Sequence, residues 1–413
     1  MDPYDQLVID SINTCSPLLH PENLTMAESA EITPTPATPV NAPAASNICE
    51  LWAINTTCDL CCSSISLMEP EVKGHEILNL PTYAFYIHNK QLDRHVLFDN
   101  GARKDWWNVT PHVFDGLTTK GVAGIDIRHD VHDILAAGGV DTNSIEAIIW
   151  SHYHWDHVGN VQLFPLSTAV VVGPGFNKLL PGYPARKEAP FFQSDFEGRT
   201  LQELNFDGGL KIGPFEAYDY FGDDSFYILN TPGHTTGHIS GLVRTTPTTF
   251  VFLGGDISHF PGMYRPTAHV PMPETIPAET ILDSRFATPC PCSLFTACHS
   301  SNNPAAARTS SFYHVSTHAN SWYDFPQEAQ KSVDGLKVID ADENVFVAIA
   351  HDPALREVGN FPNATLNDWK EKGWGKRLHW NFLNELPFDG KPGRPHLVKG
   401  RLKDGKPIEL STS

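Results

Sequence analysis

One short segment of the chain is dense in side chains that can bind metal ions. Residues 151–160 read SHYHWDHVGN, and His152, His154, Asp156 and His157 each offer an imidazole or a carboxylate. Zn²⁺ takes both kinds of ligand at roughly 2.0–2.2 Å. Two metals about 3.5–4 Å apart need a ligand supply of this density. The segment therefore predicts a dinuclear metal centre.

Three later segments each place one more ligand just beyond an apolar strand. His234 lies in TPGHTTGH, Asp256 ends LGGD and His351 lies in AHD. Active-site groups of α/β folds gather beyond the carboxyl ends of strands. His238 is a rival of His234, although we expect it to make a supporting hydrogen bond. The buried strand before His351 favours it over its rivals, which are His299, His314 and His318.

Short apolar runs along the chain must position these ligands. They predict strands at Tyr83–Ile87, His95–Phe98, Glu146–Trp150, Thr168–Val172, Ser225–Leu229, Thr248–Leu253 and Val345–Ile349. Apolar spacing predicts a helix over Asp130–Ala137, with Gly138 as its C-cap. Strands that are apolar almost throughout suit sheets covered on both faces. The pattern predicts an α/β body with sheets inside and helices outside.

Composition divides the rest of the chain. Residues 33–46 are rich in Pro, Ala and Thr, which favours an extended linker. We therefore predict an N-terminal arm and linker at 1–47, with a helix candidate around Leu7–Ile12, and a main domain at 48–355. Residues 260–345 read as an irregular insertion, typical of a cover over a site. Residues 356–413 are predicted to be a C-terminal extension that packs on the domain.

Charge and length exclude several classes of protein. The 413 residues carry a formal charge of −19, which disfavours nucleic acid and anionic membranes as partners. The first residues lack the pattern of a secretory signal, and no apolar run is long enough to span a bilayer. These features predict a cytoplasmic protein, monomer or homodimer, that acts on a small molecule. Most of the eight cysteines are then expected to be reduced and inert.

The ordered ligands resemble those of a known family. The order H-x-H-x-D-H, then H, D and H, resembles the metallo-β-lactamase superfamily, and Val96–Gly101 (VLFDNG) is similar to its early strand and turn. The resemblance implies an αβ/βα four-layer sandwich, here with the arm, the inserted loop region and the C-terminal extension. It also implies that Asp99 supports the metal-binding loop.

The same resemblance implies a cofactor and a ligand set. His152, His154 and His234 would hold one Zn²⁺, while Asp156, His157 and His351 would hold a second, with Asp256 bridging both. Fe, Mn or Co are alternative metals. The residues implied in catalysis are Asp156, Asp256 and His259.

Within the family, the pattern is most similar to dinuclear zinc lactonases. This implies opening of a cyclic ester, such as an N-acyl homoserine lactone or a lactone among secondary metabolites or xenobiotics. A polyketide-releasing type of acyl-thioesterase and a lactamase acting on a cyclic amide are the alternatives. The lactonases carry Tyr three residues after the bridging Asp, whereas this chain carries His259. Candidate substrate-pocket residues are Tyr153, Trp155, Tyr264 and Arg265.

Overall fold

The strands of the computed structural model, which describes residues 32–408, fall mainly into two sheets. In chain order the strands are β1 (Glu50–Ser63), β2 (Met68–Glu69), β3 (Ile77–Asn89), β4 (Arg94–Phe98), β5 (Val122–Ile127), β6 (Ile145–Ile149), β7 (Ala169–Val172), β8 (Leu201–Glu203), β9 (Lys211–Ile212), β10 (Phe215–Asp219), β11 (Phe226–Asn230), β12 (Ile239–Thr246), β13 (Thr249–Leu253), β14 (Thr275–Ile276), β15 (Cys290–Pro291), β16 (His314–Val315), β17 (Val345–Ala348), β18 (Gly400–Lys403) and β19 (Lys406–Ile408).

The helices are short, apart from two. They are α1 (Pro111–Thr119), α2 (Val131–Ala137), α3 (Trp155–Val158), α4 (Ser293–Thr296), α5 (Pro304–Thr309), α6 (Pro326–Asp340) and α7 (Trp374–Leu378). Within residues 32–408, no helix combines the length and the apolar character that crossing a bilayer requires.

The larger sheet has the order β19-β18-β5-β1-β3-β4-β6-β7-β8, and the smaller has the order β17-β13-β12-β11-β10-β9. Successive side chains of a strand point to opposite faces of the sheet. In central strands such as β3 and β13 nearly all of them are buried, so both faces of the sheet are covered there. In β13, Val251 and Leu253 share one apolar cluster with Phe85 and Ile149 of the larger sheet. On the opposite face, Phe252 packs in a cluster with residues of α6.

Helices cover the two outer faces. Val131 and Leu135 of α2 pack in a cluster with Leu97 and Ile148, on the outer side of the larger sheet. Val333 and Leu336 of α6 pack in the cluster that covers the outer side of the smaller sheet. The layers are therefore helix, sheet, sheet and helix, which confirms the predicted αβ/βα sandwich.

The predicted strands correspond to β3, β4, β6, β7, β11, β13 and β17, and the predicted helix to α2. The stretch 260–345 is less irregular than the sequence indicates, because α6 occupies fifteen of its residues. Its N-terminal Pro326, its internal Gly335 and its polar outer face hide the apolar spacing of Ala329, Val333 and Leu336.

The predicted domain boundaries stay predictions. Residues 1–31, including the helix predicted around Leu7–Ile12, lie outside the described residues, and the chain from Pro34 onward belongs to one compact unit. Within that unit, the Val40 amide donates to Asp342 Oδ2 at 2.9 Å. At the other end of the chain, β18 pairs in parallel with β5 of the larger sheet.

Candidate metal centre

The predicted ligands come together where strands of both sheets end. The loop after β6 carries His152, His154, Asp156 and His157, the last two within the single turn of α3. The smaller sheet supplies the others, which follow three of its strands: His234 after β11, Asp256 after β13 and His351 after β17.

Geometry divides the seven side chains into two groups. One group contains His152, His154, His234 and Asp256, and the other contains Asp156, His157 and His351. Within each group, one ligand atom from every residue lies within 4.8 Å of those of the others. Each group offers imidazole nitrogen and carboxylate oxygen, the donors that suit zinc and related metals.

The carboxylate of Asp256 lies between the two groups. Its Oδ2 is 3.6 Å from His152 Nε2 and 3.4 Å from His234 Nε2. Its Oδ1 is 3.2 Å from His157 Nε2 and 3.3 Å from His351 Nε2. One oxygen therefore faces each group, which is the arrangement that a bridging carboxylate requires.

Several of these atoms are buried without a hydrogen-bond partner among the described residues. They are His152 Nε2, His157 Nε2 and Asp256 Oδ1. Buried polar atoms are costly unless they are paired, so such a cluster calls for a ligand. One divalent cation at each group would satisfy these atoms, His152 Nε2 at the first and His157 Nε2 with Asp256 Oδ1 at the second, so the residues present fit two metals.

Burial sets the charge state of the first group. It lowers the pKa of His152, His154 and His234 well below the usual value, which favours the neutral imidazole that binds metal. Burial also acts to lower the pKa of His157 and His351, but the neighbouring carboxylates, with Asp256 the largest contributor, together outweigh it and raise both. A cation would provide the same compensation for that charge without a proton.

Asp99 supports the loop after β6. Its Oδ1 accepts a hydrogen bond from the Ser151 amide at 2.7 Å, and its Oδ2 accepts from Ser151 Oγ at 2.9 Å and from His157 Nδ1 at 2.8 Å. Asp99 lies at φ 62°, in the left-handed turn that follows β4. Because Nδ1 of His157 is occupied in this way, its Nε2 is directed toward Asp256.

The backbone of Asp256 is held by a hydrogen bond to His238. His238 Nδ1 donates to the Thr231 carbonyl at 2.8 Å, and its Nε2 accepts from the Asp256 amide at 3.1 Å. Gly255, at φ 50°, makes the turn that leads into Asp256, and a Cβ there would lie 2.6 Å from Ser151 Cβ. Close packing of the two loops therefore requires glycine at this position.

His259 lies beside the carboxylate of Asp256. Its Nε2 is 3.1 Å from Asp256 Oδ2, and its Nδ1 is 2.9 Å from the hydroxyl of Tyr323. All three side chains are buried. The position that holds Tyr in the lactonases thus holds an imidazole here, and a tyrosine reaches that imidazole from the segment before α6.

A cavity of about 40 Å³ opens beside the two groups. Its polar lining includes His154, Asp156, Asp256, His259 and His351. Its apolar wall comes from Leu60, Cys62, Leu67, Leu80, Val122, Trp155 and Trp322. Trp155 is therefore the one predicted substrate-pocket residue that lines this cavity.

The other three candidate pocket residues lie elsewhere. Tyr153 donates through its hydroxyl to Asp324 Oδ2 at 2.6 Å. Tyr264 is fully buried in the core, and Arg265 forms a buried ion pair with Asp340 at 2.5 Å. None of the three is among the residues that line the cavity within the described part of the chain.

Sequence reasoning missed Trp322 and Tyr323, and the apolar wall. Leu60, Leu80 and Val122 are ordinary inward residues of strands, so their sequence context gives no functional signal. Trp322 and Tyr323 lie in the stretch taken as irregular, where adjacent aromatic residues were the one available signal.

The segment that carries these two aromatic residues is hydrogen-bonded to the loop that carries His234. The Asp324 amide donates to the His234 carbonyl at 2.9 Å, and the Phe325 amide donates to the Gly233 carbonyl at 3.0 Å. The Trp322 indole donates to the Lys120 carbonyl at 3.1 Å. The segment therefore holds one fixed position over the cavity.

Comparison with known proteins gives the chain its relatives. A model of the metallo-beta-lactamase superfamily matches residues 113–271. "Gamma-lactamase FDB1" of Fusarium pseudograminearum (strain CS3096) is 38% identical over 363 residues, which cover 85% of this chain and 86% of that protein. "Cytochrome P450 monooxygenase mpaDE" of Penicillium roqueforti (strain FM164) is 39% identical over 329 residues, or 77% of this chain, but the match spans only 35% of its length.

Among solved structures, an N-acyl homoserine lactone hydrolase with the product N-hexanoyl-L-homoserine bound at its catalytic metal center is similar in fold. It has 18% sequence identity and a TM-score of 0.47, and the match covers 77% of this chain and 99% of that one.

Proposed function

The chain belongs to the metallo-β-lactamase superfamily and is a metallo-hydrolase of that fold, and from this premise we propose that it opens a five-membered cyclic amide, a γ-lactam. The observation that carries hydrolysis is the carboxylate of Asp256, with one oxygen toward each group of donors. The choice of a lactam is supported by the relative named gamma-lactamase, which the chain matches along most of its length. The sequence alone favours a lactone, with the cyclic amide as an alternative.

We assign the donors to two Zn²⁺ ions. His152, His154 and His234 would hold one ion, Asp156, His157 and His351 would hold the other, and Asp256 would contribute to both. When bound, two divalent ions supply a nucleophilic water at neutral pH and polarise the carbonyl of the substrate. The remaining steps belong to the side chains of the protein.

A cyclic amide makes a particular demand, because its leaving nitrogen must receive a proton. Asp256 and Asp156 are the carboxylates at the cavity, and Asp256 is the proposed carrier of that proton from the attacking water. His259 is the proposed hydrogen-bond donor to the carbonyl oxygen, which its Nε2 would contact in place of Asp256 Oδ2. If the Tyr323 hydroxyl donates to Nδ1 of His259, the imidazole proton resides on Nε2, which faces Asp256.

The wall of the cavity favours a neutral, compact ring. Trp155, Trp322 and aliphatic side chains form most of it, and no Lys or Arg is among the described residues that line it. A substrate with its own carboxylate would find no cation there, other than the metals, to pair with. The acidic net charge of the chain also disfavours an anionic substrate.

The test compares matched rings that differ in one atom. A γ-lactam and a γ-lactone with the same substituents, an acyl thioester and a four-membered lactam are each assayed with metal-loaded protein. Each kcat/KM is divided by the uncatalysed rate of that substrate, because lactones are intrinsically more reactive. We expect the greatest enhancement for the γ-lactam, and its loss in Asp256→Asn.

Other outcomes would favour a different substrate class. Turnover of the γ-lactone without the γ-lactam would favour the lactonase alternative, and turnover of the thioester alone would favour a thioesterase. Full γ-lactam turnover by Asp256→Asn at equal metal content would refute the proton-carrying role.

A further inference from the structure

The hairpin of β3 and β4 carries a second, smaller group of metal-type donors. His88 and His95 are directly paired across the two strands, and Asp93 lies in the turn between them. One ligand atom from each of the three lies within 4.8 Å of the others. Asp93 Oδ1 is 3.9 Å from His88 Nε2 and 3.7 Å from His95 Nε2. The two imidazole rings stack with their centroids 4.0 Å apart.

The other ring nitrogens are directed away from this point. Nδ1 of His95 lies 2.6 Å from the Tyr86 hydroxyl, and Nδ1 of His88 lies 3.7 Å from Glu50 Oε2. Nε2 of His88 is buried and has no hydrogen-bond partner among the described residues. A metal-binding histidine usually has a polar partner on the ring nitrogen that does not bind the metal, as the two Nδ1 atoms have here, because that partner fixes the ring and its tautomer.

The turn itself is well anchored. Asn89 accepts hydrogen bonds from the amides of Gln91 and Leu92, and it donates to Asp223 Oδ2 at 2.8 Å. Asp93 takes φ 52°, which turns the chain back into β4. The donor positions are therefore held by backbone pairing and by a structured turn.

We propose that His88, His95 and Asp93 bind one transition-metal cation, such as Zn²⁺ or Cu²⁺. Two imidazoles and one carboxylate suit these metals better than Ca²⁺ or Mg²⁺, which prefer oxygen ligands. The side chain of Asp93 is 91% exposed, so solvent can complete the coordination. Asp93 supplies negative charge at the site, while the charges of Glu50 and Lys90 are paired with each other at 2.5 Å.

This site is separate from the candidate catalytic centre. His95 lies near the start of β4, whereas Asp99 follows the end of that strand. Four residues of strand place them about 13 Å apart. Substitutions in the hairpin can therefore be made without changing a proposed ligand of the two-metal centre.

The experiment counts metal ions on protein whose catalytic centre is already loaded. The loaded protein is titrated with Zn²⁺ by calorimetry, and bound metal is measured after equilibrium dialysis. The variants are His95→Gln, Asp93→Asn and Tyr86→Phe. The control is His132→Gln, another partly exposed histidine beside an aspartate, whose Nδ1 is 3.1 Å from Asp133 Oδ1.

We expect the wild-type protein and the control to bind one equivalent more than His95→Gln, with hydrolase activity equal in all of them. Tyr86→Phe should bind that equivalent about 10- to 100-fold more weakly. Asp93→Asn should also weaken metal binding. It should leave the fold unchanged, because Asn tolerates the left-handed turn. Equal stoichiometry in wild type and His95→Gln, or loss of the extra equivalent in the control, would overturn the proposal.

Discussion

The change Asp99→Asn tests how the centre is held together. The carboxylate of Asp99 accepts three hydrogen bonds, two from Ser151 and one from Nδ1 of His157. Asn keeps the shape and one acceptor oxygen, but its amide group then faces the Ser151 hydroxyl and His157 Nδ1. His157 must lose the bond or move its proton to Nε2, the nitrogen that faces Asp256.

The magnitude follows from these contacts. Loss of the outer partner of a ligating histidine typically weakens metal binding 10- to 100-fold, or about 1.4–2.8 kcal/mol. We therefore expect the ion assigned to Asp156, His157 and His351 to bind more weakly by this factor, while the other ion keeps its affinity. Loss of hydrogen bonds to a buried charged acceptor should also lower the free energy of unfolding, by about 1.5–3 kcal/mol.

The assay is metal retention against a chelator, followed by activity with restored metal. Asp195→Asn is the matched control, because Asp195 is also buried and accepts a backbone hydrogen bond, from the Phe192 amide at 3.0 Å, yet it contacts none of the seven donors. Excess metal should restore most of the activity of Asp99→Asn. Retention of both ions at wild-type affinity would contradict the role assigned to Asp99.

Three further outcomes are expected. Removal of the metals by chelation should lower the melting temperature, since ligand at 100 times its Kd contributes about 2.7 kcal/mol, and an unchanged temperature would argue against a metal centre. Tyr323→Phe removes the hydrogen bond at His259 Nδ1 and should lower kcat roughly 2- to 12-fold with KM little changed, measured by steady-state kinetics at fixed metal content. Asp340→Ala leaves Arg265 buried without its carboxylate and should lower the free energy of unfolding by about 3–5 kcal/mol, measured with urea. A loss below about 1 kcal/mol would contradict this expectation. Burial acts to raise the pKa of Asp340, but the charge and the hydrogen bonds of Arg265 together outweigh it and lower the pKa, so in the wild type this contribution should be lost only as the pH falls below about 3.9.

Much of the fold was predictable because the two sheets are buried on both faces. Strands such as β13 and β17 read as continuous apolar runs, and a ligand follows each of them. The ligands His152, His154, Asp156 and His157 could be predicted together, because their density in six residues is itself the signal. The supporting role of Asp99 came from the family resemblance, since a single Asp after a strand carries little information.

The cavity wall could not be predicted in the same way. It is assembled from β1, β3 and β5 and from the segment before α6, which are distant in sequence. The contacts of Arg265 were equally hidden from the sequence, which made it a pocket candidate in the segment after His259. Its partner Asp340 lies 75 residues later, at the end of α6, and pairing across that distance leaves no local pattern.

The parallel pairing of β13 with β17 gives this enzyme unusual freedom to change its specificity. Leu253 is opposite Ala348 in the register, and Asp256 and His351 each follow three residues later. The spacing of these two donors is therefore set by the ladder and by the short loop after each strand, and not by residues 260–344. Loop-closure entropy rises by only about 0.6 kcal/mol for each doubling of length. Evolution can rebuild residues 260–344, which supply Trp322 and Tyr323, without changing the spacing of Asp256 and His351.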